Sequence, residues 1–290
     1  MTTAQNGPLL EIRDLSVRFG GLLALSEFSL TVEQGEIYAL VGPNGAGKTT
    51  VLNCISGFVR PVAGSITFAG TSLLPLGRDR RIRLGIGRTF QQLQLFASMT
   101  VLENLLVAQH SAMRSGLFEG ILPFGRAPRE DRKARTRARD TLILLGLEEY
   151  ADTRVSVLPH GIQKLVGVAR ALVLRPRLVL LDEPAAGITH QDVEAMAQNL
   201  RTWRKELGTT LLLIEHNMSL VQAVADRVCV LDYGRKLAEG EARTVLSDPA
   251  VLEAYLGREA LEEPEVVRSA VHEATSISEE QEARKEDSTC

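Results

Sequence analysis

Beginning at Leu9, apolar and polar residues alternate through LLEIRDLSVRF and again through FSLTVEQGEIYALVG, with GGLLALSE between them. A period of two is the mark of strands with one buried face, so two β-like stretches joined by a turn are expected, and GSITFAG after Pro61 reads as a third. Across about residues 100–157 the period lengthens. VLENLLVAQHSA and PREDRKARTRARDTLILLGL place apolar residues three and four apart, which predicts helices. Beyond Gly161 the two periods take turns: helix to Val173, strand RLVLLDE, helix QDVEAMAQNLRTWRKEL, strand TTLLLIEH, helix SLVQAVAD, strand RVCVLDYG. Alternating strands and helices predict an α/β fold on a largely parallel sheet, with residues 100–157 inserted as a helical subdomain. No internal repeat is visible.

Composition agrees with that picture and removes some alternatives. In 290 residues, 44% hydrophobic and only 4% aromatic, the interior must be built from branched aliphatics rather than rings. Cys54, Cys229 and Cys290 show no metal-ligand or redox spacing and read as small buried hydrophobes, which favours a reducing compartment. The N-terminus lacks the basic and apolar regions of a secretory signal. No apolar run approaches the roughly 18 residues of a membrane span, so a role at a membrane would require a partner to hold the chain there.

Charge divides the chain. Residues 259–290 carry ten acidic and three basic side chains, a net of −7, which leaves +4 on residues 1–258. Few large apolar side chains and no sustained period make 258–290 an acidic tail expected to be disordered or loosely helical. Arginines cluster over residues 129–139, but Glu130, Asp131 and Asp140 are interleaved. A solvated helix face fits better than a nucleic-acid patch.

The chemistry begins at GPNGAGKTT, which has the spacing G-x-x-x-x-G-K-[ST] between the apolar strand IYALV and the helix-like VLNCISGF. Gly42, Pro43, Asn44, Gly45, Ala46 and Gly47 form a loop whose backbone N–H groups can wind around a β-phosphate. Lys48 reaches the β and γ oxygens, Thr49 offers a hydroxyl to Mg2+, and Thr50 continues the motif. Four aliphatics in LVLLDEP make a buried strand ending in Asp182, placed for the Mg2+ shell, and Glu183, the candidate to orient and polarise attacking water.

GPNGAGKTT, RTFQ, LPHGIQ, LVLLDEP and LIEH occur in the order and spacing of the nucleotide-binding subunits of ABC transporters, a resemblance covering about residues 9–257. It implies a P-loop NTPase (RecA-like) core with an antiparallel β subdomain and an inserted α-helical subdomain, binding ATP with Mg2+. It further implies that Phe19 stacks on adenine. Gln91 would touch Mg2+ and water and report to the membrane subunit, and His216 would contact the γ-phosphate. EPAAGIT would carry the D-loop, Ala186, Gly187, Ile188 and Thr189, with Thr189 where an aspartate is common.

RFGGLLAL, GIGRTFQQLQLFASMTVLENLLVAQH, SGLFEGILPF, DEPAAGI, IEHNM and AYLG resemble more narrowly the larger ATPase of bacterial branched-chain amino-acid importers. The likeness implies membrane permease partners, a second ATP-binding subunit in a homo- or heterodimer, and an extracytoplasmic solute-binding protein. It places the chain peripherally on the cytoplasmic face of the inner membrane, with no nucleic-acid partner. Nothing in the chain reads the solute. Relatives with similar motifs serve urea and short-chain amide uptake, and a more distant one lipopolysaccharide export. A soluble ABC-type ATPase acting on nucleic acid or ribosomes is the alternative of another class. Such proteins usually carry two cassettes, whereas this chain has one phosphate loop.

LPHGIQ is the signature segment that in most of the family reads Leu-Ser-Gly-Gly-Gln. After Leu158, Pro159 stands at the serine and His160 at the first glycine; Ile162 replaces the glutamine, and Gln163 follows. Proline suits a first helical turn. The amides of Gly161, Ile162 and Gln163 are expected to point from a positive helix end toward phosphate. His160 is open to two readings: a hydrogen-bond donor in the serine's stead, or a spacer where relatives carry an aromatic.

Overall fold

The computed structural model describes residues 7–89, 95–112, 127–186 and 193–262. The first two strands, β1 (Leu10–Phe19) and β2 (Leu22–Val32), form an antiparallel hairpin with Phe19 opposite Leu22. GGLLALSE is therefore mostly strand, and only its two glycines turn the chain. FSLTVEQGEIYALVG is not one stretch either, because a turn before β3 (Ile37–Val41) sends β2 and β3 into different sheets. Alternation reports how many faces a strand buries and says nothing of which sheet it joins. β2 alternates, whereas every residue of β3 is buried.

Through the glycine loop β3 leads to α1 (Lys48–Ser56), and β4 (Ala63–Phe68) and β5 (Thr71–Ser72) complete a four-stranded antiparallel sheet in the order β2-β1-β4-β5. The sequence pattern had not announced α2 (Arg78–Arg83) or β6 (Ile86–Arg88). Next come α3 (Val101–Ala112) and α4 (Ala127–Leu144), then 3-10 turns at Glu148–Tyr150 and Val155–Val157, then α5 (His160–Leu172). The expected alternation follows in β7 (Leu178–Asp182), α6 (Val193–Leu207), β8 (Thr210–Ile214), α7 (Met218–Val224) and β9 (Arg227–Asp232). β10 (Arg235–Glu241), α8 (Ala242–Leu246) and α9 (Pro249–Glu262) were not anticipated, and α9 continues past Gly257. The acidic tail beyond residue 262 lies outside the described residues.

The second sheet has the order β10-β9-β3-β8-β7-β6, parallel from β9 to β6 and antiparallel only at β10. Its strands divide two cores between their faces. Tyr38, Leu40, Leu180, Leu212 and Cys229 pack with α1 and the antiparallel sheet. Ile37, Ala39, Val41, Leu181 and Leu213 pack with the helices of the other face, where Trp203 is buried. Coverage on both faces is why β3, β7 and β8 read as continuous apolar runs.

α1 is held at its far end by Arg81. The guanidinium donates to the carbonyls of Cys54 at 2.6 Å and Ile55 at 2.8 Å, and to that of Leu76 at 3.0 Å. A cation at a helix C-terminus satisfies carbonyls that have no partner in the helix. Among the described residues no helix is long and apolar enough to cross a membrane.

Burial also fixes the chemistry of two cysteines. Cys54 and Cys229 are fully buried, and desolvation pushes each thiol up to about 12. Only the thiolate reacts, so at pH 8 iodoacetamide should leave both unmodified in the native chain and alkylate both once denaturant is added. Peptide masses before and after unfolding check this; native labelling of either at a free-thiol rate would contradict the packing.

Candidate active site

Four loops converge at the C-terminal ends of the parallel strands, following β3, β7, β8 and β9. The loop after β3 holds Gly42 at φ +143° and Gly47 at φ +110°, and a Cβ on Gly47 would lie 2.8 Å from Leu25 Cδ2 and 2.9 Å from the Ala24 carbonyl. Inside the loop the Ala46 amide donates to Pro43 O at 3.1 Å, and Val51 N donates to Gly47 O at 3.1 Å as the first turn of α1. By helix geometry the amides of Lys48, Thr49 and Thr50 precede that first bond and face outward. Lys48 is buried, and its ammonium donates to Gly42 O at 2.5 Å and Pro43 O at 2.9 Å. Thr49 is exposed at the same helix end, as are Asn44 and Gly45 in the loop.

Asp182 ends β7 and is buried. Its carboxylate lies 3.4 Å from Arg88 Nη2, and its amide donates to Thr89 Oγ at 3.2 Å. Arg88 also donates to Asn53 Oδ1 and Ser56 Oγ, each at 2.8 Å, tying α1 to the acidic strand. Burial pushes the Asp182 carboxyl up; Arg88 opposes the shift, Glu183 adds to it, and Lys48 opposes it. Glu183 follows at φ +52°, a left-handed conformation that costs a non-glycine residue about 1–3 kcal/mol. The surroundings hold it there. Its amide donates to Ile214 O at 3.0 Å, its carbonyl accepts from Ala186 N at 3.1 Å, and its Oε1 lies 2.9 Å from His216 Nε2. The structure thus brings together Glu183 and His216, which are 33 residues apart.

LPHGIQ opens a helix as expected, and the amide and side chain of Gln163 both bond to backbone carbonyls before it. Pro159 precedes α5 at φ −55°, and His160 and Gly161 are exposed at its start; a Cβ on Gly161 would meet nothing within 4 Å. Gln163 N donates to Pro159 O at 3.0 Å as the first bond of the helix, so the outward amides are those of His160, Gly161 and Ile162 and not that of Gln163. The Gln163 side chain turns back to the carbonyls of Leu158 at 2.9 Å and Val155 at 3.2 Å. Leu158 is buried and Ile162 packs on the core. Lys164 Nζ donates to the carbonyl of Ala186, linking α5 to the turn after Glu183. Phe19 is 49% exposed at the end of β1. Gln91, Gly187, Ile188 and Thr189 lie outside the described residues.

Sequence reasoning gave no role to Arg88, Thr89 or Glu215. Glu215, buried beside His216, accepts hydrogen bonds from backbone amides in the loops after both β7 and β8.

A glycine loop delivered by one parallel strand to a helix start, with an Asp–Glu pair at the end of another, defines a P-loop nucleoside-triphosphate hydrolase, and the expected fold class is the one observed. Residues 25–186 match the family model described as ABC transporter, and the chain belongs to that family as an ATP-binding subunit whose activity is ATP hydrolysis. Residues 235–260 match a second model, described as branched-chain amino acid ATP-binding cassette transporter. The chain is 43% identical over 250 residues to the high-affinity branched-chain amino acid transport ATP-binding protein LivG of Salmonella typhimurium, covering 86% of this chain and 98% of that one. The corresponding protein BraF of Pseudomonas aeruginosa is 39% identical over the same shares. Among solved structures, an ATP-binding cassette of an ABC transporter in its ADP conformation superposes with a TM-score of 0.75 at 32% identity, covering 86% of this chain and 99% of that one. A dimeric cassette in a post-hydrolysis state, bound to ADP and Pi, superposes with a TM-score of 0.68 at 26% identity, covering 81% and 99%.

Proposed function

We propose that this chain energises uptake of branched-chain or related hydrophobic amino acids from the cytoplasmic face of a bacterial inner membrane, bound there to permease subunits. The observation that carries the cargo is the likeness to LivG, which spans 98% of that protein and is joined by the separate C-terminal match at residues 235–260. In this reading ATP lies between the phosphate loop of one subunit and the start of α5 in a second ATP-binding subunit, so closure needs nucleotide and opening needs hydrolysis. Phe19 stacks on the base, and Lys48 exchanges its loop carbonyls for phosphate oxygens. Glu183 orients and polarises the attacking water, and His216, against its carboxylate, faces the γ-phosphate.

A Mg2+ ion fits the donors present: the Asp182 carboxylate and the exposed Thr49 hydroxyl are hard oxygen ligands, joined in the family pattern by Gln91. When bound it would neutralise charge on the β and γ oxygens. The family pattern assigns the D-loop, Ala186 to Thr189, to the same cross-subunit face. A cavity of about 280 Å³ between α1, α2, β6 and α5, lined by Phe58, Arg78, Ile82, Arg88, Leu95 and Arg170, supports docking of a permease helix.

Reconstitution tests the assignment. With its permeases, a second ATPase and the extracytoplasmic binding protein in liposomes, ATP turnover should rise when the binding protein is loaded with leucine, isoleucine or valine, and labelled leucine should accumulate. Stimulation by urea or a short amide alone would reassign the cargo. Recovery of the chain with ribosomes rather than with membranes containing the permease would sink the transport reading.

A further inference from the structure

Glu215 is 2% exposed and carries a carboxylate into the interior between two loops. Its Oε1 accepts from the Ala185 amide at 2.7 Å, inside the turn that begins at Glu183. Its Oε2 accepts from the His216 amide at 3.1 Å and, more weakly, from that of Asn217 at 3.5 Å. Asn217 in turn caps α7, accepting from Leu220 N at 3.0 Å. Burial pushes the Glu215 carboxyl up, while the three amides and His216 pull it down. Every one of these backbone partners is a donor, so the ionised form is the one that satisfies them. One side chain therefore clamps the two turns from which Glu183 and His216 project.

We propose that Glu215 is a positioning residue for hydrolysis, holding the Glu183 and His216 turns at the separation that places Glu183 Oε1 2.9 Å from His216 Nε2. Glu183 sits at a positive φ, a conformation that persists only when its surroundings over-determine it, and the Ala185 bond is one of those restraints. The proposal rests on the reading of Glu183 and His216 as the hydrolytic pair.

Glu215→Gln is isosteric, yet however its amide turns, an NH2 opposes at least one backbone N–H. The full-length chain should still bind a fluorescent ATP analogue with the parent's affinity, while kcat falls about tenfold or more, since small misplacements near the reacting atoms are costly in rate. A smaller fall in kcat, or an equal loss of nucleotide affinity with loss of cooperative melting, would overturn the proposal. Glu215→Asp retains the charge but cannot span both turns, so it should not restore kcat; full activity there would assign Glu215 an electrostatic role instead. Adding Glu215→Gln to His216→Ala should cost much less than it does alone, because the clamp then positions a group already removed. Fully multiplicative losses would overturn it as well. If Glu183→Gln retains full turnover, the hydrolytic reading itself fails. If that variant is dead while Glu215→Gln is fully active, only the clamp fails.

Discussion

Replacing Glu183 with glutamine should leave ATP binding intact and lower steady-state hydrolysis on the order of a hundredfold or more, the range expected when a positioned general base is lost. The substitution conserves size and can keep an oxygen opposite His216 Nε2, so the turn at φ +52° and the approach of the two side chains need not change. What disappears is the negative charge to which the proposed mechanism assigns the polarising of water. Lys48, the glycine loop and the outward amides of α1, which in the proposed function hold the phosphates, are untouched, so the loss should fall on kcat rather than on affinity. If two subunits close around ATP and reopen only after hydrolysis, the variant should also accumulate as an ATP-dependent dimer. Size-exclusion chromatography with and without ATP reads that species, and phosphate release reads the rate. Turnover equal to the parent's would remove Glu183 from the base's role.

How much of this site was legible in the letters follows sequence separation. The phosphate loop and the Asp182–Glu183 pair were readable because each is a local spacing set beside an apolar strand. The residues that hold them in place were not. Arg88 meets Asp182 across 94 positions, Thr89 meets the Asp182 amide across 93, and Glu215 meets Ala185 across 30. No period or motif in one sequence pairs such residues; the available signals were an arginine inside RTFQ and a carboxylate before His216, neither of which names its partner. Gln163 shows the reverse error. Its amide is expected to point with those of Gly161 and Ile162 from the helix end toward phosphate, yet it donates to Pro159 O, and its side chain serves the carbonyls of Leu158 and Val155. At the level of the fold, β3, β7, β8 and β9 announced themselves because two-sided burial leaves unbroken aliphatic runs, whereas the short parallel strand β6 did not. β10 did not, because RKLAEGE is a charged, largely exposed edge strand whose reason for existing is β9.

Gly42→Ala should be the most damaging single-atom-group change in the phosphate loop. A Cβ there would stand 2.0 Å from the Leu231 carbonyl oxygen and 3.0 Å from its carbon, and the residue's φ of +143° is itself open only to glycine. The obstacle is backbone at the end of β9, so no rotamer change relieves it. That backbone is fixed in turn: just beyond it Gly234 N donates to Ala46 O at 2.9 Å and Gly234 O accepts from Ser26 N at 2.9 Å, clasping the loop between the β9–β10 turn and β2. Overpacking and left-handed strain each cost about 1–3 kcal/mol, which together approach a large part of the roughly 5–15 kcal/mol that keeps a domain folded. Melting should fall by roughly 10 °C, and ATP affinity should fall with it because the loop can accept the methyl group only by leaving its phosphate-binding shape. Gly45→Ala provides the contrast: its φ is +78° but its Cβ would meet nothing within 4 Å, so only the conformational strain remains and the melting shift should be about half as large. Equal shifts for the two variants would mean that β9 does not press on Gly42, and that the shape of the loop is set by its own glycines rather than by the strand behind it.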